Sequence, residues 1–148
     1  MPMFPKVIDC PPVGRLQGEG RSSVWEGQLD IPSLSGRFHL RIHGEATGPT
    51  AAQTQALGLL LRHAAALRAE ASGPLCDFLL DSGVVPVAER ASLPGALWGL
   101  LSPCFIEVHS GEGPGGVDIS VGFEIPWDGE HLLQLMTTDG LFKGVSSE

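Results

Sequence analysis

The sequence predicts a single α+β domain, built as an antiparallel β-sheet of about five to seven strands with one long and one short helix packed on one face. Apolar and polar residues alternate before residue 44 and again after residue 103, as in strands that bury one face. Between these groups, apolar residues recur every three or four positions, as in a helix. Strands followed by helices and then by strands favour this architecture over a parallel βαβ sheet.

The domain is expected to span residues 1–148, because 148 residues is the length of one globular domain. Residues 1–22 are rich in proline and glycine, so we expect an irregular lead-in with at most one edge strand. Alternation then predicts a hairpin between Ser23 and His43. Its buried faces are expected to consist of Trp25, Leu29, Ile31, Phe38, Leu40 and Ile42.

The central part of the chain predicts two helices. Thr50 and Gln53 have the spacing of a capping box, which marks a helix start. Gly73-Pro74 is expected to end the long helix, because proline cannot continue it. A second short helix is expected over residues 75–81. The apolar stripe of the long helix consists of Leu57, Leu60, Leu61, Ala64, Leu67 and Ala71.

The second half of the chain predicts the remaining strands. Residues 84–103 are expected to form an irregular loop with a turn of helix around residues 96–100. Strand patterns follow at residues 104–109 and 117–125, and a final hairpin is expected to turn at Asp139-Gly140.

Composition excludes several classes of function. The net charge is −8 and the pI is near 5.0, which argues against a nucleic-acid binder, because such proteins neutralise phosphates with clustered lysine and arginine. The most apolar stretch, residues 57–67, is shorter than a membrane span and is interrupted by Arg62 and His63. The three cysteines are scattered, as expected for free thiols in a reducing compartment. These features predict a cytoplasmic protein.

No segment has the pattern of a cofactor site or of a catalytic elbow. The glycine-rich residues 111–116 lack the Gly-Lys-Ser/Thr of a phosphate loop and are expected to join two strands. No serine lies in a G-x-S-x-G turn. Arg37, His39, Arg41 and His43 form a basic stripe that can bind an anion, although a solvated strand face is the commoner outcome. We therefore expect no cofactor, no metal and no catalytic residue.

The segment from Trp127 to His131 has the highest density of reactive side chains. Asp128, Glu130 and His131 have the chemistry of a divalent-metal site or of a general acid and base, which leaves a small metal-dependent hydrolase open. The alternative is a polar turn, in which Trp127 packs on the sheet edge, Asp128 binds nearby backbone N–H groups and His131 pairs with a carboxylate.

The order of these motifs resembles a small, uncharacterised bacterial family. The resemblance is carried by Val24-Trp25-Glu26-Gly27, by Gln53-Thr54-Gln55 and by the late W-D-x-E-H segment, Trp127 to His131, and it spans residues 22–145. Members occur beside polymorphic or contact-delivered toxins and are thought to act as immunity proteins. The resemblance implies a binding protein, with no catalytic residues to carry over.

The distribution of charge agrees with a binding function. Residues 1–101 have a net charge of −1, whereas residues 102–148 hold eight acids against Lys143 alone. An acidic face can steer onto a basic partner, so we predict a co-encoded toxin with a basic surface as the partner. An oligomeric accessory protein that associates through Leu59 or a free sheet edge is the other alternative. The predicted partner-binding residues are Glu107, Glu112, Asp118, Glu124, Asp128 and Glu130.

Overall fold

One eight-stranded sheet and three helices make up the α+β fold, which confirms the predicted class. The computed structural model describes residues 5–111 and 115–147. In chain order the strands are β1 (Pro5–Cys10), β2 (Gly14–Glu19), β3 (Val24–Ile31), β4 (Gly36–His43), β5 (Ser102–Val108), β6 (Asp118–Ile125), β7 (Asp128–Thr138) and β8 (Leu141–Ser147). The helices are α1 (Ala51–Arg62), α2 (Ala64–Ser82) and α3 (Leu93–Leu100).

The strands lie in the sheet in the same order as in the chain. Neighbouring strands are antiparallel except β4 and β5, which pair in parallel because the chain passes through all three helices between them. One parallel pair therefore makes the sheet mixed, and its eight strands exceed the five to seven predicted. One face packs against the helices in a single apolar core, and we call the other face the open face.

The prediction of an irregular lead-in is wrong for residues 5–19. β1 and β2 form a hairpin whose register runs from Pro5 opposite Glu19 to Cys10 opposite Gly14. Pro11-Pro12 occupies the turn, where the Val13 N–H donates to the Cys10 carbonyl at 3.0 Å. Pro11 and Pro12 therefore connect the edge strand β1 to β2, in keeping with the preference of proline for turns.

The predicted helix break at Gly73-Pro74 is also wrong, because the helical segment is interrupted at His63 and Pro74 lies inside α2. His63 leaves helical geometry (φ −101°, ψ 11°), yet its N–H donates to the Leu59 carbonyl at 2.9 Å. A proline within a helix removes the hydrogen bond to the carbonyl four residues earlier, here that of Glu70. Glu70 and Pro74 are exposed, so water can bind that carbonyl. The expected short second helix is the C-terminal part of α2, which ends at Gly83 as predicted.

Residues 84–103 contain more helix than the single predicted turn. α3 covers eight residues because Pro94 lies in its first turn, where a missing N–H costs no helical hydrogen bond. The predicted hairpin turn at Asp139-Gly140 is confirmed: both residues have positive φ (51° and 80°), as a type I′ turn requires.

Candidate functional site

An apolar pocket lies between the C-terminal end of α2 and the neighbouring ends of β6, β7 and β8. Its volume is about 270 Å³. Pockets for drug-sized ligands usually hold about 300–1,000 Å³, so this one has room for a single large side chain. The lining residues are Phe78, Leu79, Ser82, Val84, Ile125, Asp128, His131, Leu132, Leu133 and Ser147.

An irregularity in strand pairing brings β7 to this pocket. Phe123 pairs with Leu133, but the next pair along β6 joins Ile125 to Asp128. Residues 129–132 therefore face Glu124 alone, and a strand with unmatched residues bends away from its partner. The bend carries His131 and Leu132 to the rim of the pocket.

Asp128 organises this bend through three hydrogen bonds. Its Oδ1 accepts the backbone N–H groups of Glu130 at 3.0 Å and of His131 at 3.2 Å, and Nδ1 of His131 lies 3.0 Å from Oδ2. The Glu130 N–H and then the His131 ring hold the pKa of Asp128 below its ordinary value. Trp127 is half-buried against the core. These contacts match the polar-turn interpretation of the segment, and the Asp128 side chain stays ionised at the pocket rim.

The C-terminal end of α2, which lines the pocket through Ser82, adds negative potential there. The terminal carbonyl groups of a helix carry a partial negative charge, and no basic residue lies in the last turn of α2. Arg90, the next cation along the chain, donates to the Val85 carbonyl at 3.3 Å and does not line the pocket. The pocket thus has apolar walls and a rim that favours positive charge.

The predicted partner-binding carboxylates fall into two groups at opposite ends of β6. Glu124, Asp128 and Glu130 lie at the β6–β7 end, and we call this group the acidic corner. Asp118 lies six residues from Glu124, about 20 Å away at roughly 3.3 Å per strand residue. Glu107 pairs across the sheet near the Asp118 end. Glu112 lies outside the described residues, so the structure unites three of the six.

The two groups differ in how their charges are balanced. Glu107 lies 3.2 Å from His43, and Asp118 accepts from Thr138 at 2.8 Å and lies 3.5 Å from Lys143. In residues 5–111 and 115–147, neither Glu124 nor Glu130 forms an ion pair, and both are exposed. Glu124 and Glu130 of the acidic corner therefore have no ion-pair partner among the described residues, whereas Glu107 and Asp118 each lie beside a basic side chain.

The basic stripe of β4 lies on the open face, as predicted, and Glu26 balances part of its charge there. Arg41 donates to Glu26 at 3.1 Å and His39 lies 3.5 Å from the same carboxylate. Arg37 donates to Gln28 at 3.4 Å. An anion would have to compete with these contacts.

A polar cluster at the end of β4 and β5 was not predicted from the sequence. The rings of His43 and His109 lie parallel with centroids 6.2 Å apart, and Nε2 of His109 is 3.1 Å from Oγ of Ser120. A serine beside a histidine has the chemistry of a nucleophile pair. Ser120 is only 4% exposed, however, so we assign it a structural role. The parallel pairing of β4 and β5, which creates the cluster, has no local sequence signal.

The described part of the chain holds no group of three or more His, Cys, Asp or Glu residues arranged to bind a metal ion. Its three cysteines are free, and burial raises the pKa of each thiol. Among the described residues, no helix has both the length and the apolar character needed to cross a membrane.

No protein-family model, curated protein or solved structure matches the chain. The resemblance to toxin-associated immunity proteins therefore stays a prediction that rests on its residues.

Proposed function

We propose that this chain is a bacterial immunity protein that binds and neutralises a cognate, co-encoded toxin domain through the acidic corner. The toxin surface that it contacts is basic, and the chain acts by binding, without catalysis. Of the six carboxylates predicted to bind the partner, the proposed site includes three: Glu124, Asp128 and Glu130. It also includes the adjoining apolar pocket.

One observation carries this proposal: the exposed carboxylates of Glu124 and Glu130 have no cationic partner in the described part of the chain, and their chain neighbours Ile125 and His131 line an apolar pocket. Unbalanced charge at a surface accelerates encounter with an oppositely charged partner. Apolar pockets supply the buried anchors that hold a complex after encounter. A corner with both features is suited to fast and durable binding of a basic protein.

The test uses the toxin domain encoded next to this chain, in a catalytically inactive form, and measures association by stopped-flow fluorescence. The variant E124Q/D128N/E130Q removes the corner's charge, and the amide oxygen introduced by D128N can still accept the hydrogen bonds of the turn. We expect its association rate constant at low salt to fall at least tenfold, because steering raises rates from about 10⁵–10⁶ toward 10⁸–10⁹ M⁻¹s⁻¹.

A matched control removes the same charge elsewhere. D9N/E19Q/D30N neutralises three exposed carboxylates in β1, β2 and β3 that form no ion pair in the described residues. We expect this control to bind within twofold of the original chain. A neighbouring toxin that forms no complex, or equal loss in both triple variants, would contradict the proposal.

A further inference from the structure

We infer that the pocket between α2 and β7 receives a large apolar side chain of the partner that is flanked by a lysine or arginine. This inference rests on the proposed function, because it names the chemistry of the partner at the same site.

The apolar half of the inference follows from the pocket walls. Phe78, Val84 and Leu132 are half-buried, so each exposes apolar surface that an inserted side chain would cover. Burial of this apolar surface by a partner side chain favours association. The volume of about 270 Å³ suits one large side chain and is small for a whole ligand.

The cationic half follows from the rim. The Asp128 side chain is 21% exposed, lies 3.0 Å from Nδ1 of His131 and lines the pocket. Ser82, the last residue of α2, also lines the pocket, so the carbonyl end of that helix contributes negative potential there. Among the described residues, no lysine or arginine lines the pocket. A partner cation next to the inserted side chain is attracted by the Asp128 carboxylate and by the carbonyl end of α2. An anion in the same position is repelled by both.

Capped dipeptide amides test this chemistry without the toxin. The probes are acetyl-Leu-Lys-amide, acetyl-Leu-Glu-amide and acetyl-Ala-Lys-amide, titrated into the ¹⁵N-labelled chain and followed by amide chemical shifts. We expect acetyl-Leu-Lys-amide to bind with a dissociation constant on the order of 1 mM, as for a ligand of few atoms. Its shifts should centre on Phe78, Ser82 and Leu132. The other two probes should bind at least fivefold more weakly.

Two variants localise the binding. L132K places a cation in the pocket wall and should abolish the response to acetyl-Leu-Lys-amide. L141K is the control, because Leu141 is 60% exposed at the far end of the same β7–β8 hairpin and does not line the pocket. Unchanged far-ultraviolet circular dichroism establishes that both variants fold. D128N/E130Q, which keeps the pocket walls, should reduce the preference for Lys over Glu probes to less than twofold.

The outcomes separate this inference from the proposed function. Equal binding of the Lys and Glu probes, or shifts away from the pocket, would overturn the inference even if the toxin complex forms. Pocket shifts that grow with protein concentration in the absence of any probe would also overturn it, because a second copy of the chain would then be the occupant. The chain could bind acetyl-Leu-Lys-amide selectively and yet not bind the toxin encoded next to it. That result would support the inference and contradict the proposed function.

Discussion

Gln53 joins the start of α1 to His109 at the end of β5, where its side-chain Nε2 donates to the His109 carbonyl at 2.9 Å. The same nitrogen donates to the His43 carbonyl at 2.7 Å, and Oε1 accepts the Thr50 N–H at 2.9 Å. Gln53 is completely buried. One amide thus caps a helix and holds the ends of the two strands that pair in parallel.

The substitution Gln53→Met, which keeps size and removes all polar atoms, should therefore be costly. It leaves two strand carbonyls without this donor, at about 1–3 kcal/mol for each buried group left unsatisfied, and it removes half of the capping box. We expect the free energy of unfolding to fall by about 2–4 kcal/mol in urea denaturation. Gln55→Met, at an exposed position on the same helix, should change it by less than about 0.5 kcal/mol. Equal effects would refute this role of Gln53.

Gln53 also shows how far sequence reasoning reaches. Its partnership with Thr50 is local and could be predicted from a spacing of three residues. Its bonds to His43 and His109 depend on the pairing of β4 with β5, which are separated by three helices. No short-range pattern specifies that pairing, so the cluster of His43, His109 and Ser120 could not be predicted either.

The candidate site was likewise predictable only where its contacts are local in the sequence. Contacts within residues 127–131 follow from turn chemistry, and the polar-turn interpretation anticipated the hydrogen bonds of Asp128. The pocket was not predicted, because Phe78 and Leu132 come from separate elements and meet only after α2 packs near β7 and β8. The predicted helix end at Gly73-Pro74 was wrong because Pro74 lies on the exposed side of α2. There, water can bind the carbonyl group that a proline leaves without a helical hydrogen bond.

The ring of Phe105 lies over Gly122 on the open face of the sheet. It leaves no space for a side chain at residue 122. A Cβ atom at residue 122 would lie 2.5 Å from Cδ1 of Phe105 and closer still to Cε1. Gly122→Ala should destabilise the fold by about 1–3 kcal/mol, as overpacking does. Gly144→Ala, where a Cβ meets nothing within 4 Å, is the control.

A double-mutant cycle identifies the cause. If the ring is responsible, F105A/G122A should lose less stability than the sum of its single variants, by at least about 0.5 kcal/mol. Additive losses measured by urea denaturation would assign the effect of Gly122→Ala to the backbone instead.

The ion pair between Glu26 and Arg41 on the open face should depend on pH. The hydrogen bond from Arg41, with a smaller contribution from His39, holds the pKa of the Glu26 carboxyl below its ordinary value. A lowered folded-state pKa means that this contact stabilises the fold above the unfolded-state pKa, about 4.3, and loses that effect as pH falls through the folded-state pKa. Because both side chains are about half exposed, we expect only about 0.2–1 kcal/mol.

The corresponding variant is Arg41→Ala, compared with the original chain by urea denaturation at pH 7 and pH 3. The difference in unfolding free energy should be present at pH 7 and absent at pH 3. Arg37→Ala, on the same strand, removes a contact with Gln28 and should show a difference that does not change with pH. A loss for Arg41→Ala that persists at pH 3 would mean that Arg41 acts through packing instead of through the Glu26 charge.

Gly140 should be the least replaceable residue of the β7–β8 turn. Its φ of +80° is unfavourable for residues with a side chain, and a Cβ there would lie 2.6 Å from the backbone nitrogen of Leu60 and 2.9 Å from the carbonyl carbon of Leu59. Those atoms belong to the α1 backbone, so the contact can be relieved only if the helix and the hairpin move apart. The left-handed conformation costs about 1–2 kcal/mol and the collision about 1–3 kcal/mol more.

Gly140→Ala should accordingly lower the melting temperature by about 4–20 °C, at roughly 2–4 °C per kcal/mol for a chain of this size. Gly129→Ala provides the comparison, since residue 129 is exposed and a Cβ there meets nothing within 4 Å. We expect that control to melt within about 2 °C of the original chain, because surface substitutions usually change stability by less than about 0.5 kcal/mol. If Gly140→Ala also stays within about 2 °C, then the turn does not press on α1 in solution, and the hairpin can shift away from the helix without loss.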